Sequence, residues 1–279
     1  MARAFHRHNA ANLDVAFSVS YRFSPTEGFP VTTLAASELA KLANEDRFLL
    51  WIDVINWTEA RTVLELGVWK GVFAQRILQN CPSVERYYML DPWRHLDRWN
   101  KPANWSHDQF EEVYAEALAR TDFAKDRRVI LRGETTEVID QIGDGELDLA
   151  YIDGDHTLKG ISIDLVRTYP KVRAGGIVGG DDYSPTIWQH DPKFEPTLIC
   201  PFAAYFAEAF GAALVVYPQN QFAIAKPANG GARDFRIVDT TGRYGEPLIG
   251  PQISRPLWAH HSKRVRRLVR PFSKAPFKG

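Results

Sequence analysis

Residues 62–71 read TVLELGVWKG. TVLEL (62–66) is a short apolar run that reads as a strand, and VFAQRILQ (72–79) has the spacing of a helix. Between them stand Gly67 and Gly71. A strand that turns through glycine directly into a helix is the opening unit of an α/β sheet, and glycine lets the turn backbone approach a ligand closely. The spacing is GxxxG rather than GxGxxG, so the pyrophosphate-binding dinucleotide fingerprint is incomplete, and a tight βα turn accounts for it equally well.

The same alternation continues outward from this unit. RYYML (86–90) is a strand ending at Asp91, and SHDQFEEVYAEALART (106–121) is an amphipathic helix with Ser106 as N-cap and Phe110, Val113 and Leu118 on one face. VIL (129–131), LDLAYI (147–152) and GIVGG (176–180) read as strands, TEVIDQI and ISIDLVRTY (161–169) as helices. This predicts a doubly wound, Rossmann-like α/β sheet, mostly parallel, with helices on both faces. CPFAAYFAEAF (200–210) is helical, and ALVVY (213–217) and FAIAK (222–226), separated by PQNQ, form an antiparallel hairpin that closes the sheet. Leu34–Leu50 has the apolar spacing of one helix. Three regions follow: an N-terminal helical cap (1–59), the α/β domain (60–226), and an irregular, Gly-, Pro- and Arg-rich extension (227–279).

Composition narrows the class. The chain has 279 residues, 45% hydrophobic and 24% charged, which is ordinary for a globular protein. Cys81 and Cys200 stand far apart and in no CxxC spacing, which argues against a disulfide framework or zinc ribbon and fits a reducing compartment. No apolar run is long enough to span a membrane, and the N-terminus has no apolar leader core. A cytoplasmic protein is expected. The net charge of zero hides an asymmetry: residues 255–279 carry eight basic and no acidic residues, leaving 26 basic against 34 acidic elsewhere. This tail, with Leu257, Trp258, Val265, Leu268, Val269 and Phe272 among its basic residues, is expected to lie on an anionic membrane surface, on a partner or on the acidic body, or to stay solvated. Self-association is a further expectation; nucleic acid is not, because the acidic body would repel it.

Two acidic residues give the first loop a ligand. Asp91 stands 24 positions after Gly67, where an open α/β sheet places a carboxylate for ribose hydroxyls. Glu65 would repel a pyrophosphate but suits the cationic amino-acid end of S-adenosylmethionine. ExGxxxG after the first strand, an acid after the second and an antiparallel final pair resemble the class I S-adenosylmethionine-dependent methyltransferases over roughly residues 60–226. The resemblance implies that Glu65 and Gly67 face the methionine moiety, with Gly71 closing the loop, and that Asp91 faces the ribose. It places Glu134 and Thr135, in the GETT turn, at the adenine.

A second site follows from YIDGDH (151–156) and GGDDY (179–183). Asp153 and Asp181 lie 28 positions apart, at the ends of two strands joined by a crossover helix, so both point into one crevice with Asp182. Three convergent carboxylates call for a cation, and hard oxygen ligands suit Mg²⁺ or Mn²⁺. Neither loop supplies a Lys or Arg; Lys159 and Arg173 are the nearest. Asp155 and Asp164 read as helix caps or solvated turn acids. An acid after strand four and an acidic pair 28 positions later resemble the divalent-metal-dependent O-methyltransferases, and the DGDH…GGDDY wording resembles the macrocin- and mycinamicin-type enzymes that modify sugars. That resemblance implies a metal on Asp153, Asp181 and Asp182, with Asp153 also beside the donor. It implies a general base at His156, where catechol-type members carry Lys. An imidazole with an ordinary pKa near ~6.5 accepts a proton at neutral pH. The expected acceptor is a sugar or glycan hydroxyl, or alternatively a small phenol. DxD at 153–155 also resembles the metal motif of nucleotide-sugar glycosyltransferases. Trp69, Trp93, Trp99, Trp105, Tyr183 and Trp188 are candidates for an aromatic mouth.

Overall fold

A computed structural model describes residues 36–191, 193–228 and 233–244, and every element below lies within them. Two helices precede the first strand: α1 (Ala36–Ala40) and α2 (Arg47–Thr58). The single helix expected across Leu34–Leu50 is thus broken in its described part. The cause is Asp46, whose carboxylate accepts the Phe48 and Leu49 amides at 2.7 and 3.2 Å and satisfies two donors that a helix start leaves open.

The alternation then runs β1 (Thr62–Leu66), α3 (Val72–Asn80), β2 (Arg86–Asp91), α4 (His107–Arg120), β3 (Arg128–Arg132), α5 (Thr135–Val138), β4 (Leu147–Ile152), α6 (Leu158–Thr168) and β5 (Val172–Gly180). It ends with α7 (Ile199–Phe210), β6 (Ala213–Tyr217), β7 (Gln221–Ala225) and β8 (Arg236–Asp239). Ser106 caps α4 through a reciprocal capping box with Gln109, and Ala117 rather than Leu118 completes its buried face. The strands form one sheet in the order β3-β2-β1-β4-β5-β7-β6-β8. β7 is antiparallel to both β5 and β6, the closing hairpin that the sequence predicts. The extension is not wholly irregular: Ile237 and Val238 lie in β8, which pairs in parallel with β6 at the sheet edge.

Side chains alternate between two cores. Leu64, Leu66, Leu90, Ile152 and Val178 pack under α6 and α7, while Val63, Tyr87, Leu149, Tyr151 and Ile177 pack under α2 and α3. Strand order reverses between β1 and β4, which opens a crevice beyond their carboxyl ends. The register levels those ends, with Leu66 opposite both Leu90 and Ile152, and Ile152 opposite Gly180. The next residues of four strands therefore meet at one place: Gly67, Asp91 closing β2, Asp153 and Asp181.

Candidate active site

The first wall of the crevice is the β1–α3 turn. Gly67 has φ +87°, and a Cβ there would stand 2.0 Å from the Asp153 carbonyl oxygen, so no other residue fits without moving backbone. The Gly67 amide donates to Leu90 O at 2.9 Å and the Asp153 amide to Leu66 O at 2.7 Å, which ties the ends of β1, β2 and β4 together. Asp91 is buried and accepts three amides, Val68 and Trp69 on one oxygen at 2.9 Å and Trp93 on the other at 2.8 Å. Burial pushes its pKa up to about 6 against those three bonds. Glu65, 1% exposed, accepts the Tyr87 hydroxyl at 2.8 Å, and its burial raises its pKa well above the ordinary carboxylate range. Gly71 sits against Ala117 of α4, away from the crevice lining.

The crevice deepens into a cavity of about 620 Å³ lined by Glu65, Gly67, Asp91, Glu134, Thr135, Asp153, His156 and Asp182 from among the residues expected at the site. Glu134 stands at its rim, ion-paired with Arg94 at 3.0 Å. Asp164 departs from its expected role as a cap or solvated acid: it lies inside α6, 5% exposed, lines the same cavity and accepts the Thr135 hydroxyl at 2.6 Å. Burial pushes its pKa up to about 7. Asp155 is not the cap of α6, which is Thr157; it sits in the turn before the helix, accepting the Thr157 amide and hydroxyl, and it also receives Trp99 Nε1 at 3.0 Å. Of the expected aromatic mouth, Trp69 and Trp99 line the cavity and Trp105 sits edge-on to Trp69 at 4.7 Å. Trp93 and Tyr183 are core residues, fully buried.

The acidic centre occupies one corner of the cavity. His156 Nδ1 meets Asp182 Oδ2, and its Nε2 lies 3.4 Å from Asp153 Oδ1. Burial alone would lower the pKa of this imidazole, but the two carboxylates outweigh it and push it up to about 10. Asp181 faces elsewhere. One oxygen pairs with Arg47, while the other accepts Gln221 Nε2 at 2.6 Å and the Asp182 amide at 2.7 Å. Arg47 also lies 3.5 Å from Asp153 Oδ2. Burial and the neighbouring Asp153 and Asp182 raise the Asp181 pKa, with Arg47 opposing.

Arg47 is the residue that the sequence does not announce, because it arrives from α2, far upstream of either acidic loop. One signal is present: a cation in the first turn of a helix opposes the helix dipole and needs a partner elsewhere. Lys101 is a second such residue. It is buried at the mouth, donates to Glu195 O at 2.9 Å, and has its pKa lowered by burial despite nearby Asp155 and Asp182.

Among the described residues, Asp153, His156 and Asp182 bring ligand atoms within 4.8 Å of one another. The buried His156 Nε2 makes no closer polar contact than its 3.4 Å approach to Asp153 Oδ1. Asp153 and Asp182 supply the hard oxygen donors that fit a divalent cation such as Mg²⁺ or Mn²⁺, with the imidazole beside them.

Residues 64–183 match a family model described as a methyltransferase domain. No curated protein matches in sequence. Solved structures similar to this chain include the O-methyltransferase TomG from Streptomyces achromogenes, involved in tomaymycin synthesis and solved with SAM (14% identity, TM-score 0.45, covering 68% of this chain and 89% of that one). Another is an O-methyltransferase from Bacillus cereus in complex with SAH (16% identity, TM-score 0.44, 68% and 90%). A third is a putative caffeoyl-CoA O-methyltransferase from Staphylococcus aureus (14% identity, TM-score 0.48, 68% and 87%). At TM-scores below 0.5 these likenesses say nothing about what this chain acts on. The strand order itself, with its antiparallel β7, is that of the class I methyltransferase fold.

Proposed function

We propose that this chain is an S-adenosylmethionine-dependent O-methyltransferase that methylates a hydroxyl of a sugar or glycan with the help of a divalent cation. The observation that carries the reading is that the Gly67 turn and the acidic centre open onto one cavity, of a size that takes a donor and part of an acceptor. Glu65 and the β1–α3 turn would take the methionine end of the donor. Asp91 would take the ribose, since a carboxylate that accepts three amides keeps about one of its four lone-pair sites free, on the oxygen that takes only Trp93. The mouth supports a sugar: Trp99 offers an aromatic face, and Lys101, Asp182 and His190 offer hydrogen bonds around it. Asp155 is engaged by Thr157 and Trp99 instead of joining Asp153, which leaves the glycosyltransferase reading without its second acid.

Asp153 and Asp182 would hold the cation, with Asp181 as a third carboxylate once Arg47 releases it. When bound, the cation supplies positive charge that neutralises these carboxylates and stabilises a developing alkoxide. His156 would be the proton acceptor, with Asp153 and Asp182, which hold its proton in this structure, turned to the cation instead. The acceptor oxygen attacks the methyl carbon, the carbon–sulfur pair leaves with sulfur, and the hydroxyl proton passes to His156. Trp99 and the acidic corner hold the oxygen in line with the methyl group.

Calorimetry with S-adenosylhomocysteine, together with methyl transfer from labelled donor to a glycan panel, tests this. Binding is expected in wild type and in His156→Ala alike. Turnover is expected to fall roughly 10²–10⁴-fold in that variant, and to vanish with EDTA and return with Mg²⁺ or Mn²⁺. Absence of S-adenosylhomocysteine binding would remove the donor from the reading, and full turnover after chelation would remove the cation.

A further inference from the structure

Lys101 is a buried cation with bonds left to give. It is 5% exposed and lines the cavity. An ammonium carries three N–H donors. Nζ donates to Glu195 O at 2.9 Å, and among the described residues no carboxylate pairs with it. Burying a charge is costly unless it is paired, yet this one is held firmly. Asn104 Nδ2 ties the Leu96 and Trp99 carbonyls at 2.8 and 2.9 Å, Asn100 Nδ2 donates to Lys193 O at 2.9 Å, and the Glu195 amide returns to Asn100 O at 3.4 Å. The β2–α4 and β5–α7 loops are thereby joined, and the ammonium is fixed at the seam.

The acids whose charge reaches Lys101 are Asp155, Asp182 and Glu195, which places it by the acidic corner and not by the Gly67 turn. His190 lines the cavity beside it, its pKa lowered by burial and then by the Lys101 charge. Asp155 is engaged by Trp99 and Thr157, and His156 offsets the Asp182 charge. Resting on the sugar reading above, we propose that Lys101 is a specificity-determining residue: with His190 as a second donor, it binds an anionic group, a carboxylate or a phosphate, on the acceptor sugar. A neutral sugar would offer the ammonium only hydroxyl oxygens. An anion supplies the missing counterion through charge-assisted bonds, which are roughly twice as strong as neutral ones.

Three probes share one ring and differ at one carbon: methyl β-D-glucuronide with a carboxylate, methyl β-D-glucoside 6-phosphate with a phosphate, and neutral methyl β-D-glucoside. Their affinities are measured by calorimetry on the full chain saturated with S-adenosylhomocysteine and Mg²⁺. Wild type should bind at least one anionic sugar roughly 10- to 100-fold more tightly than the neutral one, as expected for hydrogen bonds to a charged group, and the tighter of the two names the anion. Lys101→Gln keeps a donor for Glu195 O without the charge, so the ratio should fall to near unity. Lys101→Arg should keep most of the preference. Melting curves show that each variant is folded, and its affinity for S-adenosylhomocysteine is the control. A role confined to joining the loops would change all three sugars together and leave the ratio alone. An unchanged ratio in folded Lys101→Gln, or a wild type that binds the neutral sugar as tightly as both anionic ones, overturns the inference while the sugar reading stands. Binding of none of the three to a chain that does bind S-adenosylhomocysteine overturns both and leaves the donor assignment in place.

Discussion

Asp164 and Asp91 are carboxyls whose proton affinity the fold has raised, to about 7 and about 6, because burial disfavours their charged forms. An unfolded aspartate releases its proton near ~3.9. Between that value and the folded ones, the folded chain binds more protons than the unfolded chain, so stability falls as pH rises through the window. Chemical denaturation at pH 5 to 8 should therefore show wild type losing stability towards pH 8. Asp164→Asn should remove on the order of 2–3 kcal/mol of that loss, the part of the linkage for a shift of this size that falls between pH 5 and 8. Parallel slopes for the two proteins would show that Asp164 does not titrate there. His156 changes in the same direction: its held proton stabilises the fold at low pH, and that contribution fades as pH rises towards about 10. Only the difference between wild type and the variant isolates Asp164.

Helix α2 connects the two ends of the chemistry. Trp51 donates to Gln221 at 2.9 Å, Gln221 donates to Asp181 at 2.6 Å, and Arg47 on the same helix pairs with Asp181. The helix is seated because Gly179 of β5 has no side chain: a Cβ there would stand 2.0 Å from the Trp51 ring and 2.5 Å from Phe222 O. Gly179→Ala is expected to cost about 1–3 kcal/mol by overpacking and to loosen Arg47 from Asp181. A melting curve checks the first effect, and a wild-type curve would show that α2 accommodates the methyl group. The elements from β1 to β7 are legible in the sequence because each is a clean run of one period between turn residues, and the acids at strand ends follow from that. Asp46 inside an apolar-periodic run hides the break between α1 and α2. Four half-exposed residues at a sheet edge are too few to show β8. Asp164, among apolar neighbours in ISIDLV, looks like the polar stripe of a helix until the packing of α5 covers it. Arg47 carries only the weak signal of a cation in the first turn of a helix, since its partners are assembled by the sheet.

Across the whole chain, charge is divided between an acidic body and residues 255–279, which lie outside the described residues and carry eight basic side chains. No helix among the described residues is long and apolar enough to cross a membrane. A peripheral role for the tail is tested by co-sedimentation with anionic vesicles, comparing the full chain with one ending at Ser254. The full chain is expected to pellet more at low salt, by roughly 1 kcal/mol for each basic residue near the surface, and less at moderate salt. Equal pelleting would exclude a membrane role for this segment. The placement of Arg47 and Trp51 has a different consequence, for modularity. Both precede β1, whereas the matched methyltransferase segment begins at residue 64. A chain cut to that segment would keep Asp153 and Asp181 but lose the cation between them, along with Gln221 behind them. The transplantable unit is therefore larger than the recognisable one: a graft of the signature loops alone would bring the acids without the Arg47 cation and the Gln221 amide that offset their mutual repulsion.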